Sequence, residues 1–332
     1  MSNTNFYLVY FILLNFIFVY KFDKIKIFHL LLDKPDKKRK FHLKPTPLAG
    51  GLLLLINIIF FFIITLLDQK IINNELIFDN LKEFYLFLIC SMSIFILGYF
   101  DDKFDLSVRL KFFILILIFL VMLFFDTNLS IKTLSLSFID NSISLSFYSI
   151  IFTCFCFLVF TNAFNMFDGI NLQSSFYSLI IFLVFLIFYI DSLFIKTLLI
   201  FFIFYSYLNY KNKTFLGDSG SLLTAFIIGY LFIKLYNLKQ IQYADEIFIF
   251  MMIPGLDMIR LFFKRILLNK NPFKPDRLHL HHLLISKFSN KKTISFLCSL
   301  ILFPIFLMFL DINRIVIILV TIVIYSIIIK KN

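Results

Sequence analysis

Asp101 and Asp102 stand side by side in the stretch Gly98-Tyr99-Phe100-Asp101-Asp102-Lys103-Phe104-Asp105, at the end of an apolar run. Adjacent carboxylates at a helix end repel unless a cation or a shared proton relieves them, so the pair suits a metal ion or a general base. A solvated helix end is the other use of the same residues. Further on, Asn162, Asn165 and Asp168 fall three apart in Asn162-Ala163-Phe164-Asn165-Met166-Phe167-Asp168-Gly169-Ile170-Asn171. On a helix they share a face and offer two amides and a carboxylate, which suit Mg²⁺ or the edge of a uracil; loop capping would also use them.

The segment Phe215-Leu216-Gly217-Asp218-Ser219-Gly220-Ser221 precedes another apolar run. Small residues let a ligand approach the backbone, and a helix N-terminus offers free N–H groups to phosphate oxygens. Asp218 there is placed to bind a metal bridging those oxygens, or else Asp218 or Ser219 is an N-cap. Pro275-Asp276-Arg277-Leu278-His279-Leu280-His281-His282 gathers three of the five histidines. With Arg277 adjacent and no cysteine nearby, the cluster suits an anion better than zinc. The first loop adds Lys37, Lys38, Arg39, Lys40 and His42, which suit anionic lipid headgroups, and then Thr46-Pro47 and Gly50-Gly51.

The elements that carry these loops are apolar to a degree that excludes a soluble fold. Of 332 residues 61% are hydrophobic and 50 are Phe, while Gly and Pro number 8 and 7. Lipid is the solvent such a chain requires, and helices rather than a barrel satisfy its backbone there. Apolar runs near 6–20, 48–67, 84–100, 112–126, 147–161, 176–190, 193–208, 221–236, 246–262, 295–310 and 313–329 predict an all-α polytopic membrane protein of about 11 transmembrane helices. The first run has no positive charge before it and no small-residue cleavage site after it, and reads as a span rather than a signal peptide.

Most of the 32 Lys and Arg fall in alternate loops, around 21–47, 101–111, 209–218 and 260–292, and in the tail. The positive-inside tendency makes those loops cytoplasmic, with the N-terminus outside and the C-terminus inside. The formal charge of +12 then points to the membrane surface and not to nucleic acid. Between Ser130 and Phe147 a period of two, Leu134, Leu136, Phe138 and then Ile143, Leu145, Phe147, predicts a small external β-hairpin. Cys90, Cys154, Cys156 and Cys298 lie in apolar runs without paired spacing and read as packed free thiols. No repeat or linker divides the chain, so residues 1–332 read as one domain. The acidic, amide, glycine-rich and histidine motifs therefore all fall on the face that Lys and Arg mark independently.

In this order the motifs resemble the polyprenyl-phosphate N-acetylhexosamine-1-phosphate transferases: the basic loop ending Thr46-Pro47 and Gly50-Gly51, Asp101 to Asp105 continuing to Lys111, Asn162 to Gly169, Phe215 to Ser221, and Pro275 to His282. The last motif resembles the N-acetylglucosaminyl branch. The resemblance implies transfer of an N-acetylhexosamine 1-phosphate from a UDP-sugar to undecaprenyl phosphate with release of UMP, at the start of a lipid-linked envelope glycan such as O-antigen or teichoic acid. It implies Mg²⁺, or Mn²⁺ in its place, a bacterial inner membrane with the site facing the cytoplasm, and a homodimer. By the same resemblance Asp218, with Asp102, would bind the metal, Asp101 or Asp102 would deprotonate or steer the lipid phosphate, and Lys111 would offset charge. Asp168, Asn165 and Asn162 would line the nucleotide pocket, Phe215 would stack on uracil, and Arg277, His279, His281 and His282 would hold the pyrophosphate or sugar.

One departure stands out. Family members continue Asp-Gly with a second Asp-Gly, whereas this chain has Asn171-Leu172, and an amide can bind or coordinate but adds no charge. Asp101 to Asp105 also fits the Asp-rich signature of membrane prenyltransferases, which need a second Asp-rich helix end in place of the glycine and histidine motifs. A transporter would place ionisable residues within spans, where Lys196 and Lys234 are basic candidates and both can snorkel.

Overall fold

The computed structural model describes residues 4–35, 44–71, 75–269 and 278–331. Long helices follow one another: Thr4–Lys21 (α1), Gly50–Leu67 (α2), Leu81–Phe104 (α3), Val108–Phe125 (α4), Ser149–Phe167 (α5), Gln173–Val184 (α6), Leu193–Tyr210 (α7), Gly217–Asn237 (α8), Ala244–Leu267 (α9), the short Leu280–Ile285 (α10), Asn290–Phe309 (α11) and Arg314–Lys331 (α12). Every apolar run found in the sequence coincides with one of these. Among the described residues eight helices are long and apolar enough by themselves to cross a membrane. Of the others, α6 is short and runs on into a π-helical turn, Phe185–Tyr189, while α9 carries Asp245, Glu246, Asp257, Arg260, Lys264 and Arg265. The chain is an all-α polytopic membrane protein, its spans being helices that pair their backbone groups within each segment, as lipid requires.

Helix α8 is the axis of the molecule. Every residue from Ser219 to Tyr236 is buried, with α2, α3 and α5 packed around it. Glycines allow the closest approach at the end where Asp218 lies. A Cβ at Gly98 would sit 2.3 Å from the Ser219 Cα, and one at Gly51 would sit 2.5 Å from the Gly220 amide nitrogen. At the other end Lys234 of α8 pairs with Glu83 and Asp79 at 2.8 Å each, and the Tyr230 hydroxyl also donates to Glu83. Charges this buried persist only when paired, so the cluster fastens α8 to the start of α3.

The expected hairpin is present but short. Thr133–Leu134 (β3) pairs antiparallel with Ile143–Ser144 (β4), and Ser137 is tied to Asp245 of α9 through its amide and hydroxyl. A second ladder, absent from the sequence reading, joins Leu32–Asp33 (β1) to Thr46–Pro47 (β2) across the first basic loop. Residues 37–42, the polybasic stretch, and Pro275 to Arg277 lie outside the described residues.

The Gly98 contact yields a test. In G98A the new methyl group meets backbone rather than a movable side chain, a kind of overpacking that costs about 1–3 kcal/mol. The variant should unfold at a lower temperature than the native protein when both are purified in one detergent, and should lose activity through displacement of the adjoining Ser219 turn.

Candidate functional site

At the end of α8 opposite Lys234 a cleft of about 710 Å³ opens between the ends of α3, α5 and α8 and the short α10. Six aspartates line it, Asp33, Asp101, Asp102, Asp105, Asp168 and Asp218, together with His279, His281 and His282. Among the described residues no Lys or Arg lines it.

Asp102 reaches from the last turn of α3 to the first turn of α8. Its Oδ1 accepts from the Asp218 amide at 2.8 Å and its Oδ2 from the Ser219 amide at 3.0 Å. Two of the amides that a helix start leaves without partners are thus satisfied by a carboxylate, which the helix dipole also favours. The cap of α8 therefore comes from Asp102, not from Asp218 or Ser219. Gly217 makes this possible. Its φ of +73° is left-handed, and a Cβ there would meet the Asp102 Oδ2 at 2.8 Å.

Asp218 is left turned to the cleft. Its Oδ1 accepts from the Asn165 Nδ2 at 2.6 Å, and the same nitrogen lies 2.7 Å from the Ser221 hydroxyl. Lys111 of α4 forms an ion pair with the buried Asp101 and stands 3.9 Å from the Asp218 Oδ2. Asp101 also accepts from the Leu106 amide at 3.0 Å, which holds the turn between α3 and α4. Asp168 follows α5 and accepts from the Ser174 hydroxyl at 2.5 Å. Burial above all pushes its carboxyl up to about 7; the Ser174 bond pulls against this, and the charge of Asp218 adds to it.

Among the described residues the sequence-predicted residues converge with one exception, Asn162. Asn165, Asp168, Asn171 and Phe215 line the cleft with the aspartates and histidines, and Lys111 stands behind Asp101. Asn162 does not line it, and its amide nitrogen faces Met258 Sδ at 3.2 Å and Met166 Sδ at 3.5 Å. Steps of three residues drift around an α-helix, so Asn162 and Asp168 differ in direction by roughly 120°. Arg277 lies outside the described residues.

The histidines are positioned by a residue the sequence reading passed over. Asp257 of α9 is buried and receives four donors: Arg260 Nη2 at 2.8 Å, the Tyr325 hydroxyl at 2.8 Å, the Leu280 amide at 3.1 Å and His279 Nδ1 at 2.9 Å. The signal in the sequence is Asp257 three before Arg260, an acid and a base one turn apart within a span. His281 packs on Gly169 so closely that a Cβ there would lie 2.0 Å from its Nε2. Burial, with His282 and His279 adding to it, holds the His281 imidazole well below its ordinary pKa.

The donor set is one of carboxylates and amides, as a hard cation requires, and the cleft has an excess of negative charge. Among the described residues no three metal-binding side chains close into a cage. Mg²⁺ needs none, since one or two carboxylates hold it while substrate phosphates and water complete its shell.

The model of the family described as glycosyl transferase family 4 matches residues 84–236. The undecaprenyl-phosphate alpha-N-acetylglucosaminyl 1-phosphate transferase of Yersinia pestis is 30% identical over 291 residues, covering 84% of this chain and 76% of that protein. The protein of the same name from Thermotoga maritima is 30% identical over 271 residues, covering 81% and 77%, and that from Salmonella typhi 28% over 281 residues, covering 81% and 73%.

Replacing Asp257 tests its role. In D257A the Arg260 guanidinium loses its buried counter-charge, a change that costs about 3 kcal/mol where burial is substantial. The expected result is a lower unfolding midpoint and faster hydrogen exchange over residues 278–285, read by mass spectrometry.

Proposed function

The chain belongs to glycosyl transferase family 4, and from that premise we propose that it transfers an N-acetylhexosamine 1-phosphate from a UDP-sugar to undecaprenyl phosphate, releasing UMP. The observation that carries this reading is the cleft itself: six aspartates backed by Lys111, with a histidine cluster docked over Gly169. An acidic cleft repels a nucleotide sugar unless a divalent cation joins them, and phosphoryl transfer needs that cation. Relatives named for undecaprenyl phosphate and N-acetylglucosamine supply the substrate classes.

In this reading the phosphate oxygen of the lipid attacks the phosphorus that bears the sugar. The bond from that phosphorus to the UMP oxygen breaks, and UMP leaves with the electron pair. Asp218 and Asp168 would hold Mg²⁺ against the pyrophosphate. Bound there, the ion would neutralise charge that grows on the departing UMP. Lys111, between Asp101 and Asp218, offsets the negative charge that the lipid phosphate brings. Asp101, held by Lys111 and the Leu106 amide, steers that phosphate, while the oxygens of Asp102 keep the Asp218 turn in place. Asn165 orients Asp218, Phe215 offers a ring to uracil, and His279 and His282 face the pyrophosphate and sugar from across the cleft.

The same reading puts the cleft on the cytoplasmic side of a bacterial inner membrane, with the N-terminus outside. The described parts of the Lys/Arg-rich loops, with Asp33, Lys111, Asn212 and His279, lie at the cleft's end of the bundle, and in this reading a nucleotide sugar reaches it from the cytosol while the lipid arrives within the bilayer. The product would begin a lipid-linked envelope glycan.

Purified protein given a UDP-N-acetylhexosamine and undecaprenyl phosphate should release UMP in equal amount to lipid-linked sugar. Release of UDP would refute phosphosugar transfer. D218A should lower turnover about 100-fold or more, the scale of losing one group that stabilises transition-state charge. Turnover that survives removal of divalent cations by a chelator would remove Mg²⁺ from the reading.

A further inference from the structure

Asn171 stands where the family pattern has a second aspartate, and its surroundings say why an amide is there. Its Nδ2 donates to the Asn209 carbonyl oxygen at 3.0 Å and to the Asn212 Oδ1 at 2.6 Å. A backbone carbonyl can only accept, so the end of the side chain that faces it has to be a donor. An aspartate at this position would set an unprotonated oxygen against two other oxygens. The next residue continues the link: the Leu172 amide donates to the Asn209 Oδ1 at 2.6 Å, from a left-handed backbone at φ +70°. A leucine adopts that conformation at a cost, and the hydrogen bond holds it there.

These bonds join two turns that each carry site residues. One runs from Asp168 through Gly169 to Leu172. The other runs from Asn209 to Gly217 and leads to Phe215 and Asp218. Asn209 is buried, and its own Nδ2 donates to the Thr214 carbonyl at 2.8 Å. The Thr214 hydroxyl donates to the Pro47 carbonyl at 3.0 Å and accepts from the Ala49 amide at 3.1 Å, while the Phe215 amide donates to the Pro47 carbonyl at 2.9 Å. A continuous chain of hydrogen bonds therefore runs from the Asp168 turn to the Phe215 turn and on to the start of α2.

We propose that Asn171 is a positioning residue whose carboxamide clasps the Asp168 turn to the Asn209–Asn212 turn, fixing Asp168 relative to Phe215 and Asp218 in the part of the cleft that takes the nucleotide sugar. The inference rests on the function proposed above. Asparagine does not stand in for a missing carboxylate in this chain; an aspartate at the same place opens the clasp.

The test compares the native full-length protein with N171D, N171A and N212D, each purified in the same detergent. N171D and N171A remove the donor. N212D adds the same negative charge as N171D on the partner side chain, yet still offers Asn171 an acceptor, which separates charge from hydrogen bonding. Hydrogen exchange read by mass spectrometry should accelerate together over residues 168–173 and 209–216 in N171D and N171A, and keep native protection in N212D. In N171D the KM for the UDP-sugar should rise about tenfold, the factor that two lost hydrogen bonds carry, while the KM for undecaprenyl phosphate stays unchanged. N171D with native exchange and native donor KM overturns the inference. Faster exchange with an unaltered donor KM also overturns it, since the clasp then holds the fold and not the site. If the native protein releases no UMP from any UDP-N-acetylhexosamine, the proposed function fails by itself; the exchange comparison still upholds the clasp if N171D and N171A both open the two turns while N212D does not, and overturns it otherwise.

Discussion

A helix that starts inside a protein leaves amides without partners, and in this chain a carboxylate from another helix meets that need. The two oxygens of Asp102 on the amides of Asp218 and Ser219 join the end of α3 to the start of α8. The remaining geometry follows from that contact. It forces Gly217 into a left-handed conformation that only glycine accommodates beside the carboxylate, and it requires Gly98 to lie flush with Ser219. It also leaves Asp101 and Asp218 facing a common space with Lys111 between them. One charged cap thereby brings together acidic groups that would separate if free to move.

The cleft has a second wall with a separate origin. Asp257 draws His279, the Leu280 amide, Arg260 and Tyr325 to one point, so the histidine segment rests on α9 and α12. The two walls meet where His281 packs on Gly169, a contact with no room for a side chain. The opposite end of the bundle repeats the physical logic with other residues, since Lys234 is buried only in the company of Glu83 and Asp79.

Helix positions were legible in the sequence because lipid imposes length and apolarity on every span, and the hairpin because Leu134 and Ile143 belong to runs of alternating character. Apart from Asp33, which belongs to no motif in the sequence, the cleft's acidic and histidine residues were legible as motifs. Their division of labour was not. Asp102 reads like Asp101 in the sequence, and only the distant partners Asp218 and Ser219 distinguish a capping carboxylate from one that faces the cleft. Asn162 looked equivalent to Asn165, but helical drift carries it to Met258. Asp257 was hidden by the apolar residues around it, and Asn209 and Asn212 by the ordinary look of a polar loop. In each case the missing information was a contact across many residues of sequence, which spacing does not encode.

The anchoring of His279 has a consequence for biosynthesis. Tyr325 lies on α12, the last helix described, and donates to the same Asp257 oxygen that receives Arg260. During translation the aspartates of the cleft emerge and enter the membrane well before that tyrosine does. The histidine wall therefore gains its full support only after every earlier helix has been inserted.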